Sequence, residues 1–482
     1  MLSLLKKFAF ILALLPLSAA NGQTMVAATP PMGWNSWDSY GLTITEAEFR
    51  ANATVLKDKL LPFGYRYAVI DEGWFFANPD ARSTPDKLRY ALDKFGRYVP
   101  VLDRFPSAGK PPAPSHRDDG NSSMKLPATI EDTTFAPIGQ WLHAQGLLFG
   151  IHIVRGIPRA SVERNLPIQG SPFHATDVAD TNDACPWDPT NWGIRDNPAG
   201  QAWYDSLLRQ YAGWGVDLLK VDCISDHPYK VGEIRMIRRA IDKTGRPMVL
   251  SLSPGPTSPS HAAEVSTTAN MWRISDDFWD VWTTAPGTTF PQSLVGQFVR
   301  AAAWTTFDLK PGHWPDLDML PLGQLRPSPG WGEPRQTRLT ADEQRTMLTL
   351  WAMNRSPLIL GANLTLFDEE TLRLLTNRDL LSIDQDAAHR GHPQPGSAGA
   401  SLQVWTSSLS LKNGHDAKVA AVFNLGDTSA SVERSVRELD LLGAAGNGTA
   451  TVREVWSGRN LGRTASIHLE IPAHGCVLLI AQ

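Results

Sequence analysis

The feature that most restricts this chain is an alternation. Between residues 25 and 385, short continuous apolar runs recur, separated by segments of helical period. The runs lie at residues 32–37, 67–70, 147–153, 216–219, 248–252, 271–274, 317–320 and 357–360. Wholly apolar strands are buried on both faces, which is the condition of a parallel sheet covered by helices. Helical patterns at residues 202–214, 231–243 and 340–353 supply that cover. In the last, Thr340 followed by Glu343 predicts a capping box. Eight such strands predict a (β/α)8 barrel, with its site at the C-terminal ends of the strands. No GxGxxG or Walker loop supports a nucleotide-binding sheet.

The barrel is predicted to occupy residues 25–386, with an exposed insertion rich in Pro, Ser, Gly and charge at residues 106–127. Residues 387–400 read as a linker. Beyond it the period changes to two, in runs at residues 401–411, 418–424, 430–436, 449–455 and 466–471, with a short apolar run at 477–480. Residues 401–482 therefore predict a C-terminal antiparallel β-sandwich. Trp405 and Trp456, within it, are expected to pack in a core.

At the N-terminus, Lys6 and Lys7, an apolar stretch at residues 8–17 and Ser18-Ala19-Ala20 read as an export signal over residues 1–20. The apolar stretch is too short to span a bilayer comfortably. A periplasmic or extracellular location, with no membrane in the mature form, is expected. An oxidising compartment permits a disulfide between Cys185 and Cys223, whereas Cys476 reads as a buried thiol. A formal net charge of −4 argues against nucleic acid as a partner. The absence of CxxC, HExxH or a tight His cluster argues against a metal, and no cofactor is expected. The chain has 17 Trp; beyond those filling a core, indole faces suit the C–H faces of pyranose rings.

Acids cluster at the strand ends: Asp71, Glu72, Asp222, Asp276, Asp277, Asp316 and Asp318. A single acid there usually caps a helix or pairs with Arg. Several at one barrel mouth repel each other and lose hydration unless a site uses them. Polyols need such acceptors, and glycosidic cleavage needs two carboxyls in distinct roles. In Lys220-Val221-Asp222, strand alternation points Lys220 and Asp222 the same way, into the mouth. An ammonium nearby would hold Asp222 ionised, as a nucleophile requires. Arg273 precedes Asp277 by four residues, but spacing alone does not choose between Asp276 and Asp277.

A series of motifs carries a resemblance. In order they are Met32-Gly33-Trp34-Asn35-Ser36-Trp37, Ile70-Asp71-Glu72-Gly73-Trp74, Gly150-Ile151-His152 and Leu219-Lys220-Val221-Asp222. Then follow Trp272-Arg273-Ile274-Ser275-Asp276-Asp277, Asp316-Leu317-Asp318-Met319, and Leu375-Thr376-Asn377 with Asp384-Gln385-Asp386. Together they resemble glycoside hydrolase family 27, which contains α-galactosidases, α-N-acetylgalactosaminidases and β-L-arabinopyranosidases. The resemblance implies that Asp222 is the nucleophile and Asp277 the acid/base of a retaining double displacement, their carboxyls about 5–6 Å apart. It implies that Lys220 and Arg273 bind sugar hydroxyls, that Trp37 walls the pocket, that Asp71 and Glu72 form a hydroxyl-binding pair, and that Asp318 lies at a further pocket position. An oligosaccharide or glycoconjugate with a terminal α-D-galactose is the expected substrate. A non-catalytic sugar-binding protein on this scaffold would have no need to keep both acids.

Departures from the family pattern bear on the sugar. Glu72 stands where α-galactosidases usually have Asp, and its extra methylene would crowd the C6 hydroxymethyl of galactose, favouring β-L-arabinopyranose. Ser253 stands near a place where galactosidases carry Glu, closer to the N-acetylgalactosaminidase pattern. His152 replaces the usual Tyr, bringing a pH dependence that Tyr lacks.

Overall fold

The computed structural model describes residues 25–83, 87–109, 128–326, 333–443 and 447–482. The export signal and nearly all of the 106–127 insertion lie outside the described residues. Eight parallel strands form the first unit: β1 (Met32–Asn35), β2 (Tyr67–Ile70), β3 (Leu148–Val154), β4 (Val216–Asp222), β5 (Val249–Leu252), β6 (Met271–Arg273), β7 (Trp314–Asp316) and β8 (Leu358–Leu360). β1 to β7 pair in sequence order, β8 pairs with β1, and an isolated bridge from Leu320, beyond the end of β7, to Leu360 of β8 closes the ring into a (β/α)8 barrel.

Two strands differ from the expectation. β1 stops at Asn35, and Trp37 opens a single helical turn, Trp37–Tyr40. The seventh strand is Trp314–Asp316 rather than residues 317–320, because Asp318 adopts φ 85°, the left-handed region that no strand continues through. The buried Leu317 and Leu320 still face the core, which is why those residues read as a strand.

Inside the ring, Val69, Leu218, Val249, Met271, Trp314 and Ile359 meet in one cluster. Their strand neighbours point outward into the larger core beneath the helices, as Leu219 and Val221 do. That core is covered by α1 (Glu46–Val55), α2 (Ala136–Ala144), α3 (Pro198–Trp214), α4 (Val231–Thr244), α5 (Leu294–Trp304) and α6 (Ala341–Asn354). Local chemistry sets the ends of α3: the Asn197 side chain accepts from Gly200 N–H, Pro198 occupies the first turn, and Gly215 closes the helix at φ 81°. The Thr340–Glu343 capping box opens α6. Among the described residues, no helix is long and apolar enough to cross a membrane.

The C-terminal unit contains β9 (His392–Pro393), β10 (Leu402–Ser410), β11 (Asp416–Asn424), β12 (Ala430–Ser435), β13 (Ala450–Glu454), β14 (Asn460–Thr464), β15 (Ser466–Ile471) and β16 (Cys476–Ala481). Strands β9-β10-β11-β16-β13-β14 form one antiparallel sheet, and β12-β15 form a second. The larger sheet is buried on both sides. Val419, Ala421 and Phe423 pack on the barrel, with the Phe298 and Phe423 rings 4.9 Å apart, whereas Ala420 and Val422 face the second sheet. Leu478 and Leu479 divide between the two cores in the same way, which explains the wholly apolar run at 477–480. Trp405 is fully buried in the interface with the barrel.

Residues 387–400, expected as a linker, are stitched to the sandwich. His392 and Pro393 pair with Thr406 and Trp405, and Asp386 Oδ2 accepts from Ser410 N–H at 2.8 Å. Strand β14 was not legible, since Gly462 at φ 72° and a bulge at Val452/Arg453 break its alternation. Cys185 and Cys223 form a disulfide. The Cys476 thiol lies against Thr349, and burial pushes its pKa up to about 11.

Candidate active site

The C-terminal ends of the strands converge on one cavity of about 440 Å³. Of the residues singled out in the sequence, Asp222 and Asp277 face it, with Trp37, Asp71, Glu72, Lys220 and Ser253. His152, Arg273 and Asp318 are buried behind this lining.

β4 carries the first half of the site. The Lys220 ammonium donates to Asp71 Oδ2 at 2.9 Å, and Asn35 Nδ2 donates to the same oxygen at 2.7 Å. Asp71 Oδ1 accepts from the Glu72 N–H at 2.8 Å. Burial opposes ionisation of Asp71, but the His152 and Lys220 charges and these bonds hold its carboxyl well below the usual range. Asp222 has different contacts. Its Oδ2 lies 3.2 Å from His152 Nε2, and its Oδ1 accepts from Cys223 N–H at 2.5 Å. Burial raises its pKa, but the His152 hydrogen bond, then the His152 and Lys220 charges, outweigh that and keep Asp222 below the ordinary value. Lys220 therefore acts on Asp222 through space, while its contact is with Asp71.

The segment carrying Asp222 is pinned from behind. Cys223 is bonded to Cys185, and Arg155 Nε donates to the Cys223 carbonyl at 2.6 Å. Arg155 in turn pairs with Asp183 at 2.9 Å and Glu233 at 2.8 Å.

β6 carries the second half. Arg273 Nη2 donates to Asp277 Oδ1 at 3.2 Å and sits 2.8 Å from Asp318 Oδ2. One guanidinium thus serves two carboxylates, and Asp318 also accepts from Phe278 N–H at 2.7 Å. Burial, with Asp277 and Asp316 adding to it against Arg273, lifts Asp318 to about 7. Asp276 faces the same cavity.

Several residues around the site carried no sequence signal. Asp38 follows Trp37 and is buried; burial, then the Asp318 charge, raises its pKa well above the ordinary carboxyl value. Its Oδ2 has no hydrogen-bond partner among the described residues and lies against Gly361. Trp187, His227 and Phe290 line the cavity from irregular segments that no periodicity marks. Only Trp187 had a pointer, its place two residues after a cysteine pairing with the neighbour of Asp222.

Comparison with known proteins agrees with this architecture. Residues 191–386 match the family described as alpha galactosidase A, and residues 399–481 match the alpha galactosidase C-terminal beta sandwich domain. Alpha-galactosidase 3 of Arabidopsis thaliana is 26% identical over 94% of this chain and 82% of its own length. Among solved structures, a family 27 β-L-arabinopyranosidase from Geobacillus stearothermophilus, in complex with arabinose, is 38% identical. It superposes with a TM-score of 0.81 over 95% of this chain and 97% of that one. A protein from Bacillus halodurans described as a putative alpha-N-acetylgalactosaminidase is 36% identical, with a TM-score of 0.74 over 94% of this chain and 97% of that one. With this identity across nearly the whole of both chains, a barrel mouth lined with acids and the matching sandwich, the chain is a glycosidase belonging to glycoside hydrolase family 27.

Proposed function

We propose that this protein is an exported, retaining exo-glycosidase that releases a terminal β-L-arabinopyranosyl residue. Asp222 attacks the anomeric carbon while Asp277 protonates the leaving oxygen; Asp277 then takes a proton from the water that releases the glycosyl-enzyme. Asp222, held ionised by His152 and Lys220, has the state a nucleophile needs. Lys220, Asp71 and Glu72 present charge to the sugar hydroxyls, and Trp37 presents an indole wall.

The observation that carries the sugar is Glu72. It is buried, borders the cavity beside Asp71, and is one methylene longer than the Asp usual in α-galactosidases. β-L-Arabinopyranose has the hydroxyl pattern of α-D-galactose without the C6 hydroxymethyl, so a wall advanced toward C6 favours it. The greater identity to the arabinopyranosidase than to the α-galactosidases supports the same reading. α-D-Galactose is the second reading, favoured by the family matches at residues 191–386 and 399–481.

A panel of 4-nitrophenyl glycosides tests the sugar. The β-L-arabinopyranoside is expected to show the highest kcat/KM, the α-D-galactoside less, and the α-N-acetylgalactosaminide least. Faster turnover of the galactoside overturns the first reading. Proton NMR of the first product is expected to show retained anomeric configuration. Export is supported by the sequence of residues 1–20 and by the disulfide, and mature protein beginning near residue 21 in the culture medium or periplasm is the expected result.

A further inference from the structure

β3 and the residue that follows it address Asp222 in two ways. His152 meets its carboxylate, with Nε2 3.2 Å from Oδ2. Arg155, directly after β3, holds its main chain. The Arg155 N–H donates to the Asp222 carbonyl at 3.1 Å, and its Nε donates to the Cys223 carbonyl at 2.6 Å. Two successive peptide planes are fixed in this way. The first of them also carries the Cys223 N–H, which donates to Asp222 Oδ1 at 2.5 Å. Turning that plane would therefore move a hydrogen bond of the carboxylate itself. Cys223, between the two planes, has φ 61°, a left-handed conformation that is unfavourable for a residue with a Cβ and so needs holding.

The guanidinium is itself locked. Asp183 accepts from Nη1 and Nη2 at 2.9 Å each, and Glu233 accepts from Nη1 at 2.8 Å. Glu233 also accepts from the Tyr204 O–H at 2.5 Å, and Asp183 sits 2.9 Å from Lys230 Nζ. Arg155 is 2% exposed, and none of these side chains borders the cavity. Buried ion pairs add little stability, because lost hydration offsets the attraction of the charges. Apolar side chains would fill this space as well. They would not supply an N–H donor of fixed direction, which a planar guanidinium gripped by two carboxylates does. We infer that Arg155 is a positioning residue for the nucleophile. It acts through the peptide between Asp222 and Cys223 to set where the Asp222 carboxylate stands, and it takes no part in binding sugar or in proton transfer by Asp277. This inference rests on the assignment of Asp222 as nucleophile.

Arg155→Lys keeps the buried positive charge that Asp183 and Glu233 need but loses the Nε grip on the Cys223 carbonyl. Its kcat on a 4-nitrophenyl glycoside is expected to fall about 30- to 100-fold, with KM within about threefold of wild type. Asp183→Asn leaves Arg155 in place and loosens one side of the fork, so kcat is expected to fall about fivefold. The deciding measurement uses azide. In Asp222→Ala, azide attacks the anomeric carbon in place of the missing carboxylate and expels the leaving group. The azide-dependent rate is expected to agree within about twofold between Asp222→Ala and the double variant that adds Arg155→Lys, because no carboxylate is left to position. Asp183→Asn in the Asp222→Ala background carries the same comparison if the lysine variant does not fold. An azide-dependent rate that falls in the double variant as far as kcat falls in the single one overturns the proposal, since Arg155 would then support the site as a whole. A kcat unchanged in both Arg155→Lys and Asp183→Asn also overturns it. Absence of azide rescue in Asp222→Ala itself overturns the nucleophile assignment beneath it.

Discussion

His152 Nε2 stands 3.2 Å from Asp222 Oδ2, on adjoining strands β3 and β4. Burial disfavours the imidazolium, but the Asp71 charge and the Asp222 hydrogen bond outweigh it, so the His152 pKa lies above the usual 6.5. A raised folded value means that its stabilising contribution is complete below about pH 6.5 and is lost as pH rises through the raised value. Above it, Asp222 loses its cationic partner.

The kcat/KM profile with pH is therefore expected to fall on its alkaline side as His152 deprotonates. His152→Tyr keeps a donor that stays protonated, so the alkaline fall should move to higher pH. His152→Phe removes the bond that lowers Asp222, so the acid limb should move up by about one unit. Profiles unchanged in both variants would show that His152 does not govern the ionisation of Asp222.

The two acids separate by their response to azide. Asp222→Ala is expected to lower kcat at least about 10⁴-fold, and azide should restore turnover by direct displacement, giving a glycosyl azide of inverted configuration. Asp277→Ala should be slowed strongly with poor leaving groups and little with 2,4-dinitrophenolate, because only the former need a proton. Its azide product should keep the starting configuration. Proton NMR of the products reads both outcomes. The second pattern from Asp276→Ala instead would exchange the two neighbours.

Much of this site was legible because strands alternate. Once β4 is a strand, Lys220 and Asp222 must share a face, and the acids at neighbouring strand ends must share a mouth. What alternation cannot tell is who touches whom. Lys220 contacts Asp71, and Asp222 takes His152, because partners across strands depend on register: His152 lies beside Lys220 and Val154 beside Asp222. Asp318, read as a pocket residue, holds Arg273 from a backbone at φ 85°, a conformation that its neighbours do not announce. The irregular segments bearing Trp187 and Phe290 have no period at all. Their place depends on a disulfide and on a backbone bond to Asp277.

The Asp384-Gln385-Asp386 motif is structural, and its chemistry is testable. Asp384 is fully buried, with its Oδ2 accepting from Gln385 Nε2 at 2.7 Å. Burial, only partly countered by that bond and by Arg355, pushes its pKa up to about 8. A carboxyl raised above its unfolded value binds its proton more tightly in the folded state. Its contribution is thus full below about pH 4 and is lost as pH rises through about 8. Asp384→Asn keeps the shape without the ionisation. The decline in Tm between pH 5 and pH 9 is expected to be shallower in this variant than in the wild type, by differential scanning calorimetry. Parallel curves would mean that Asp384 does not titrate in that window.

Glu72 offers the sharpest test of substrate choice, because the change is one methylene. Glu72→Asp withdraws a buried carboxylate from the cavity wall while keeping its charge. If that wall excludes C6, the variant gains room for the hydroxymethyl and loses contact with the smaller sugar. One methylene in a pocket is worth about 10- to 200-fold in discrimination, and relaxation of neighbouring groups takes up part of it. The ratio of kcat/KM for the β-L-arabinopyranoside to that for the α-D-galactoside is therefore expected to fall about tenfold, with the galactoside improving in absolute terms. That absolute gain matters, since a variant that merely damages the site lowers both values. A ratio that stays constant while both activities fall would place Glu72 away from C6, and the choice of sugar would then rest on other parts of the wall, Ser253 first among them.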